Sequence, residues 1–188
     1  MKPILSAIAC ASVFMLATMF SSCDPVEPEI ENEEELITTV TVTFTPLVGN
    51  AVVFKSMDLD GEGGLDAILT TGPLATNSYY EVEVELLNES VNPSINMTEE
   101  IAAESESHQI FLVLSGGVEW IFNYLDVDGG GLPLGIQSQV TTLEPGSGTL
   151  TLTLRHNPIK SALNVASGDI THADGATDVF VAFDLVIQ

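Results

Sequence analysis

The side chains best suited to chemistry in this sequence are oxygen and nitrogen donors. In Asp58-Leu59-Asp60-Gly61-Glu62-Gly63-Gly64, carboxylates stand at the first, third and fifth places, glycine at the sixth, and Asp66 at the ninth. Alternate residues of a tight turn can aim several carboxylates at one point, which suits calcium, a hard cation that takes six to eight oxygens. A second loop, Asp126-Val127-Asp128-Gly129-Gly130-Gly131, repeats the alternation with Asp126 and Asp128 and offers fewer ligands. The three histidines, His108, His156 and His172, supply a different donor, and imidazole favours zinc or copper. Glu104, Glu106, Asp169 and Asp174 lie near them in sequence as carboxylate partners.

Each group also has a plainer reading. Asp-x-Asp-Gly and Gly-Gly form turns readily, so the two acidic loops read either as hairpin connections or as cation-stabilised loops. The first resembles half of an EF-hand loop, but Leu69 occupies the twelfth place, where a bidentate Glu belongs, and an EF-hand proper is excluded. The histidines form no His-x-His pair and no His-Glu-x-x-His run, and read either as separate surface side chains or as a set converging in the fold. Ser147 lacks the Gly-x-Ser-x-Gly frame, and the glycines near Gly61 and Gly129 make neither a Walker nor a dinucleotide loop. A non-enzymatic protein is therefore expected. Trp120, Phe122 and Tyr124 share one face of an alternating stretch and read as a sugar-stacking platform or as core; Ile121 and Leu125 opposite them favour burial on both sides.

With 27 acidic residues against 4 basic and a net charge of -23, the chain cannot neutralise phosphates, and nucleic acid is excluded as a partner. At 45% hydrophobic and only 16% charged, it can bury a core rather than remain a disordered polyanion.

The amino terminus sets the expected compartment. Lys2 precedes an apolar run over residues 4–20, and Phe20-Ser21-Ser22-Cys23 resembles the lipobox of bacterial lipoproteins. That resemblance implies a signal peptide over 1–22, lipidation of Cys23 and anchoring in a membrane. Two or more acyl chains hold a soluble domain stably where one does not. Cys10 would leave with the signal, so the mature chain would keep no free thiol. Residues 23–35 carry seven acidic side chains with Pro25 and Pro28, a self-repelling tether. At about 3.1 Å per residue it spans roughly 35–40 Å when extended.

From Leu36 to Gln188 the apolar residues recur with period two. Val40, Val42 and Phe44 alternate with threonines, Tyr80, Val82, Val84 and Leu86 with Tyr79 and glutamates, and Leu150, Leu152 and Leu154 with threonines. Val179, Val181, Phe183, Leu185 and Ile187 form a last strand whose intervening Phe180 and Val186 predict partial burial on both faces. Further strands are expected at 52–57, 108–114, 118–125 and 136–142. One short peripheral helix is expected at 98–105, capped by Asn96 with Glu99 and Glu100 in its first turn. Strand following strand without helical crossovers predicts an all-β, antiparallel β-sandwich of immunoglobulin-like character over 36–188. The order strand, strand, acidic loop, strand recurs 68 residues on, between Asp58 and Asp126, which suggests two related halves.

The layout as a whole resembles a group of flavobacterial-type outer-membrane lipoproteins, through Asn32-Glu33-Glu34-Glu35-Leu36-Ile37-Thr38-Thr39, Asp58-Leu59-Asp60-Gly61, His108-Gln109, Leu154-Arg155-His156 and Gly168-Asp169-Ile170-Thr171. Members often carry the label "type 1 periplasmic binding fold superfamily protein". The fold so named is two-lobed α/β of about 300 residues, which the strand periodicity here excludes. The resemblance therefore implies location, on the periplasmic or the cell-surface face of the outer membrane, and a role beside an outer-membrane receptor. A structural or adhesive module contacting protein or glycan is the other reading. A labelled lipid precursor is expected to attach to the native chain and not to Cys23→Ala; equal labelling of both would remove the anchor.

Overall fold

The computed structural model describes residues 36–59 and 64–188. The expected signal segment, Cys23 and the tether lie outside the described residues. Among the described residues ten strands follow one another: β1 (Thr39–Pro46), β2 (Val52–Met57), β3 (Ile68–Thr70), β4 (Tyr79–Asn88), β5 (Ile95–Asn96), β6 (His108–Gly116), β7 (Trp120–Tyr124), β8 (Gln137–Thr142), β9 (Gly146–His156) and β10 (Ala176–Ile187). Every pairing between them is antiparallel. A seven-stranded sheet runs in the order β3-β2-β1-β4-β8-β7, with β5 on the far end of β4, and a three-stranded sheet runs β10-β9-β6. The protein is an all-β sandwich, with its strands divided seven to three.

The two-residue alternation is the physical cause of this arrangement, because it gives each strand one apolar face to bury. Val40, Val42 and Phe44 from β1, the even positions of β4, and Leu150, Leu152 and Leu154 from β9 meet in one continuous core. Phe54 of the large sheet packs on Phe183 of the small one, with ring centroids 5.6 Å apart, and on Phe44 at 5.1 Å. Each such fully buried apolar side chain contributes about 1.5–3 kcal/mol. The edge of the small sheet at the end of β10 is covered by the segment after β3, where the Leu74 amide donates to the Val186 carbonyl and the Gln188 amide donates back to Leu74.

The helix α1 spans Met97–Ala103, with Asn96 accepting from the Thr98 amide and Glu99 and Glu100 in its first turn. Met97 and Ile101 bury one side of it, and the Thr98 hydroxyl takes up the Leu86 amide at 2.8 Å, fixing the helix against β4. A 3-10 turn, Ser105–Ser107, then leads into β6. Between β9 and β10 the chain makes a strap, residues 157–175, containing the 3-10 turns Val165–Ser167 and Ile170–His172. The strap packs Val165, Ala173, Ala162 and Ile170 on Phe111 and Val113, so β6 is buried on both faces.

Two expectations need correction. The candidate halves do not take equivalent places: β1 and β2 pair within the large sheet, whereas β6 and β7 fall in different sheets. Burial on both faces was expected for β7 and β10 but is found at β6. Ile121 is 57% and Phe180 67% exposed, and Leu125 and Val186 are also exposed, because among the described residues none packs over the outer faces of β7 and β10. Trp120, Phe122 and Tyr124 turn to the inner side, as the core reading expects, and Trp120 and Phe122 pack partly buried against the core.

Leu152→Ala is expected to lower stability by about 2–5 kcal/mol, read as a lower urea midpoint at unchanged slope. Phe180→Ser, on the bare face of β10, is expected to stay within about 0.5 kcal/mol of wild type.

Candidate metal centre

Register brings the first two donors together. His108 is the first residue of β6 and His156 the last of β9, and antiparallel pairing sets them directly opposite one another. On the other edge of β9, His156 stands opposite Ala176 and Arg155 opposite Thr177, but Leu154 stands opposite Val179, so Asp178 is an extra residue in β10. A bulge of this kind re-aims a side chain. Here it brings the Asp178 carboxylate to the histidines instead of leaving it on the outer face with Phe180.

The geometry is tight. His108 Nε2 lies 3.0 Å from His156 Nδ1, and Asp178 Oδ2 lies 3.8 Å and 3.7 Å from those two atoms. The imidazoles are perpendicular, with centroids 4.6 Å apart. The side chains of His108, His156 and Asp178 are 0%, 14% and 1% exposed, so the group opens to solvent on the His156 side alone. Two ring nitrogens and one carboxylate oxygen within 4.8 Å of one another make a possible ligand set. Zinc bonds of about 2.0–2.2 Å set neighbouring tetrahedral ligands roughly 3.4 Å apart. The three observed separations bracket that value, so shifts of a few tenths of an ångström would place all three atoms around one ion.

The outer contacts fix the chemistry of His108. Its Nδ1 lies 3.1 Å from the Glu104 carbonyl, which can only accept, so Nδ1 carries the proton and the neutral ring presents its Nε2 lone pair to the cluster. Burial lowers the pKa of His108; the Glu104 carbonyl and Asp178 oppose that shift and His156 adds to it. The ring is thereby held neutral, the form a metal requires. Without a metal, the proton between the rings belongs to His156 Nδ1, which donates to His108 Nε2. A metal held here would need the Nδ1 lone pair of His156, and the neutral ring would then carry its proton on Nε2. A carbonyl behind one ligating imidazole is a usual outer contact of metal-bound histidine.

The strap is rooted at this site, leaving β9 after His156 and rejoining β10 two residues before Asp178. Gly175, at φ +78°, closes it: a Cβ there would lie 2.4 Å from the His156 carbonyl oxygen.

The other sequence-derived donors fare differently. His172 is exposed in the strap's second 3-10 turn and does not join His108 and His156, because the strap carries it over the outer side of the small sheet. Asp169 caps that same turn by accepting from the Thr171 amide, and the Thr171 hydroxyl and then that amide hold its carboxyl below the usual range. Asp174 and the side chains of Glu104 and Glu106 are exposed. Asp126 and Asp128 are not a cation cage, because the loop itself uses their oxygens. Asp126 accepts from the Gly135 and Gln137 amides at 2.7 and 2.9 Å, and Asp128 from the Gly130 and Leu132 amides at 2.9 Å each. The second Asp128 oxygen meets the buried Lys160 ammonium at 2.8 Å. In the first acidic loop, Asp58 is partly exposed at the end of β2 and Asp66 is exposed, while Asp60 and Glu62 lie outside the described residues.

Asp178 escaped the sequence reading. Strict alternation assigns it to the outer face, and nothing in Thr177-Asp178-Val179 announces a bulge. The comparisons add no assignment: no protein-family model, curated protein or solved structure matches the chain.

The Asp128–Lys160 pair predicts a pH dependence. Burial opposes the Asp128 charge, but Lys160 and the Leu132 and Gly130 amides outweigh it and hold the carboxyl below its ordinary pKa. This stabilisation is complete above the unfolded value of about 3.9 and is lost as pH falls through the lower folded value. Asp128→Asn is therefore expected to be less stable than wild type by about 3–5 kcal/mol at pH 7, with the difference closing as pH falls below about 3.9. Thermal unfolding across that range is the measurement.

Proposed function

We propose that this chain is a lipid-anchored, non-enzymatic β-sandwich of the outer membrane that binds a zinc or copper ion through His108, His156 and Asp178. The observation that carries the metal reading is the convergence of two imidazole nitrogens and one carboxylate oxygen at a buried strand end, with His108 already held in the ligating tautomer. An N₂O donor set suits zinc and copper(II) rather than calcium or magnesium, which prefer oxygen. Three protein ligands leave a coordination position for water or a ligand carried by a partner. The location rests on the resemblance of Phe20-Ser21-Ser22-Cys23 to a lipobox and on the acidic tether. A place beside an outer-membrane receptor follows from the lipoprotein resemblance.

Calorimetric titration of the mature chain with zinc, copper(II) and calcium tests the metal reading. Saturable one-to-one binding of zinc or copper is expected, with a rise in Tm on the order of 5–10 °C at 100 times Kd. His108→Ala, His156→Ala and Asp178→Asn should each lower the affinity at least tenfold, and calcium should not compete. Zinc and copper binding unchanged in all three variants would overturn the assignment. A response to calcium alone would return the reading to the Asp58–Asp66 loop.

A further inference from the structure

Lys160 is one of three basic residues from Leu36 onward, against 20 acidic ones, yet it is only 4% exposed. Burying an ammonium is costly, and an apolar side chain would fill the same space without that cost. What the ammonium adds is direction. Its Nζ donates to the Ser105 carbonyl at 2.6 Å and to Asp128 Oδ2 at 2.8 Å, joining the strap to two other segments. Asp128 is itself fixed, since its other oxygen accepts from the Gly130 and Leu132 amides.

The gripped turn is the one on which His108 depends. Ser105 follows Glu104, whose carbonyl accepts both the Ser107 amide at 2.9 Å and His108 Nδ1–H at 3.1 Å. The strap touches the same turn from the His156 side, where the Asn157 amide donates to the Ser107 carbonyl at 2.6 Å. Lys160 thus stands four residues after one imidazole and holds a carbonyl three residues before the other.

We propose that Lys160 is a positioning residue of the metal centre: by clamping the strap to the Ser105–Ser107 turn against Asp128, it fixes the Glu104 carbonyl behind His108 and keeps the Nε2 lone pair aimed at the ion. This rests on the metal-binding reading. Lys160 touches neither the ion nor its ligands and acts through the turn.

The experiment compares the mature chain with Lys160→Met/Asp128→Asn, which removes the ion pair without leaving a charge buried alone. Three quantities are read: Tm, the imidazole nitrogen spectrum without metal, and zinc affinity. The double variant is expected to stay folded, to show His108 as a mixture of tautomers, and to bind zinc roughly 10- to 100-fold more weakly. Asp128→Asn alone retains the bond to the Ser105 carbonyl and should keep the wild-type imidazole spectrum. If the double variant keeps both the wild-type tautomer and the wild-type zinc affinity, Lys160 is only structural and the proposal falls. Should the wild-type chain fail to take up zinc, the metal reading fails, and the metal-free spectrum still decides whether Lys160 holds His108. Should the double variant not fold, Lys160→Gln, which keeps a donor toward Ser105, is read by the same spectrum. A wild-type tautomer in Lys160→Gln together with a mixture in Lys160→Ala supports the clamp, and an unchanged spectrum in Lys160→Ala would overturn it.

Discussion

The register of β9 is the constraint from which the rest follows. As the middle strand of the three-stranded sheet, it is hydrogen-bonded to β6 on one edge and β10 on the other, and its leucines form the floor of the core. Sliding either neighbour by one residue would turn its apolar set outward, so the register is strongly specified by burial. Once Leu150, Leu152 and Leu154 are matched to Leu114, Leu112 and Ile110, His156 can only face His108. The same core pairing on the β10 side breaks at a single place, the bulge at Asp178. The packing of leucines in the middle of the sandwich thereby sets the spacing of three polar groups at its end.

Polar groups at that end are costly to bury, and neighbouring groups offset part of the cost. An unpaired charge in such surroundings would be expensive, and Asp178 approaches both imidazoles while His108 donates its one ring N–H to a carbonyl. The Asp126–Asp128 loop follows the same rule on a larger scale. Its carboxylates stand in for the missing strand partners of Gly130, Leu132, Gly135 and Gln137, and one of them also neutralises Lys160. A loop that looks like a cation site in sequence is thus organised by a cation of the chain's own, brought to it by the strap.

This explains what could be read in the sequence and what could not. The alternation in β1, β4, β9 and β10 and the Asn96 cap are local properties, legible because burial and capping act over a few residues. Strand order is not local, and the difference shows at β6 and β7. In sequence, Ile121 and Leu125 look as buried as Phe111, yet the strap packs on the outer face of β6 and leaves that of β7 exposed. Among the donors, His108 and His156 were visible as types, but their partnership is set by pairing between strands 48 residues apart. Asp178 depended on a bulge, and Lys160 on where the strap returns. Neither feature has a sequence period.

Charge links the site to the chain that surrounds it. Two neutral imidazoles and one carboxylate around a divalent ion leave a local charge of about +1, within a stretch of 20 acidic and 3 basic residues, one of the basic ones already consumed by Asp128. Such a field concentrates cations of every kind near the surface and speeds their arrival without choosing among them. Choice then falls to the donors. The many exposed carboxylates offer oxygen, which calcium and magnesium also accept, while the His108–His156 pair offers nitrogen at a fixed separation in a site opening only beside His156. For a metal bound as proposed, attraction is a property of composition and discrimination a property of the register of β9.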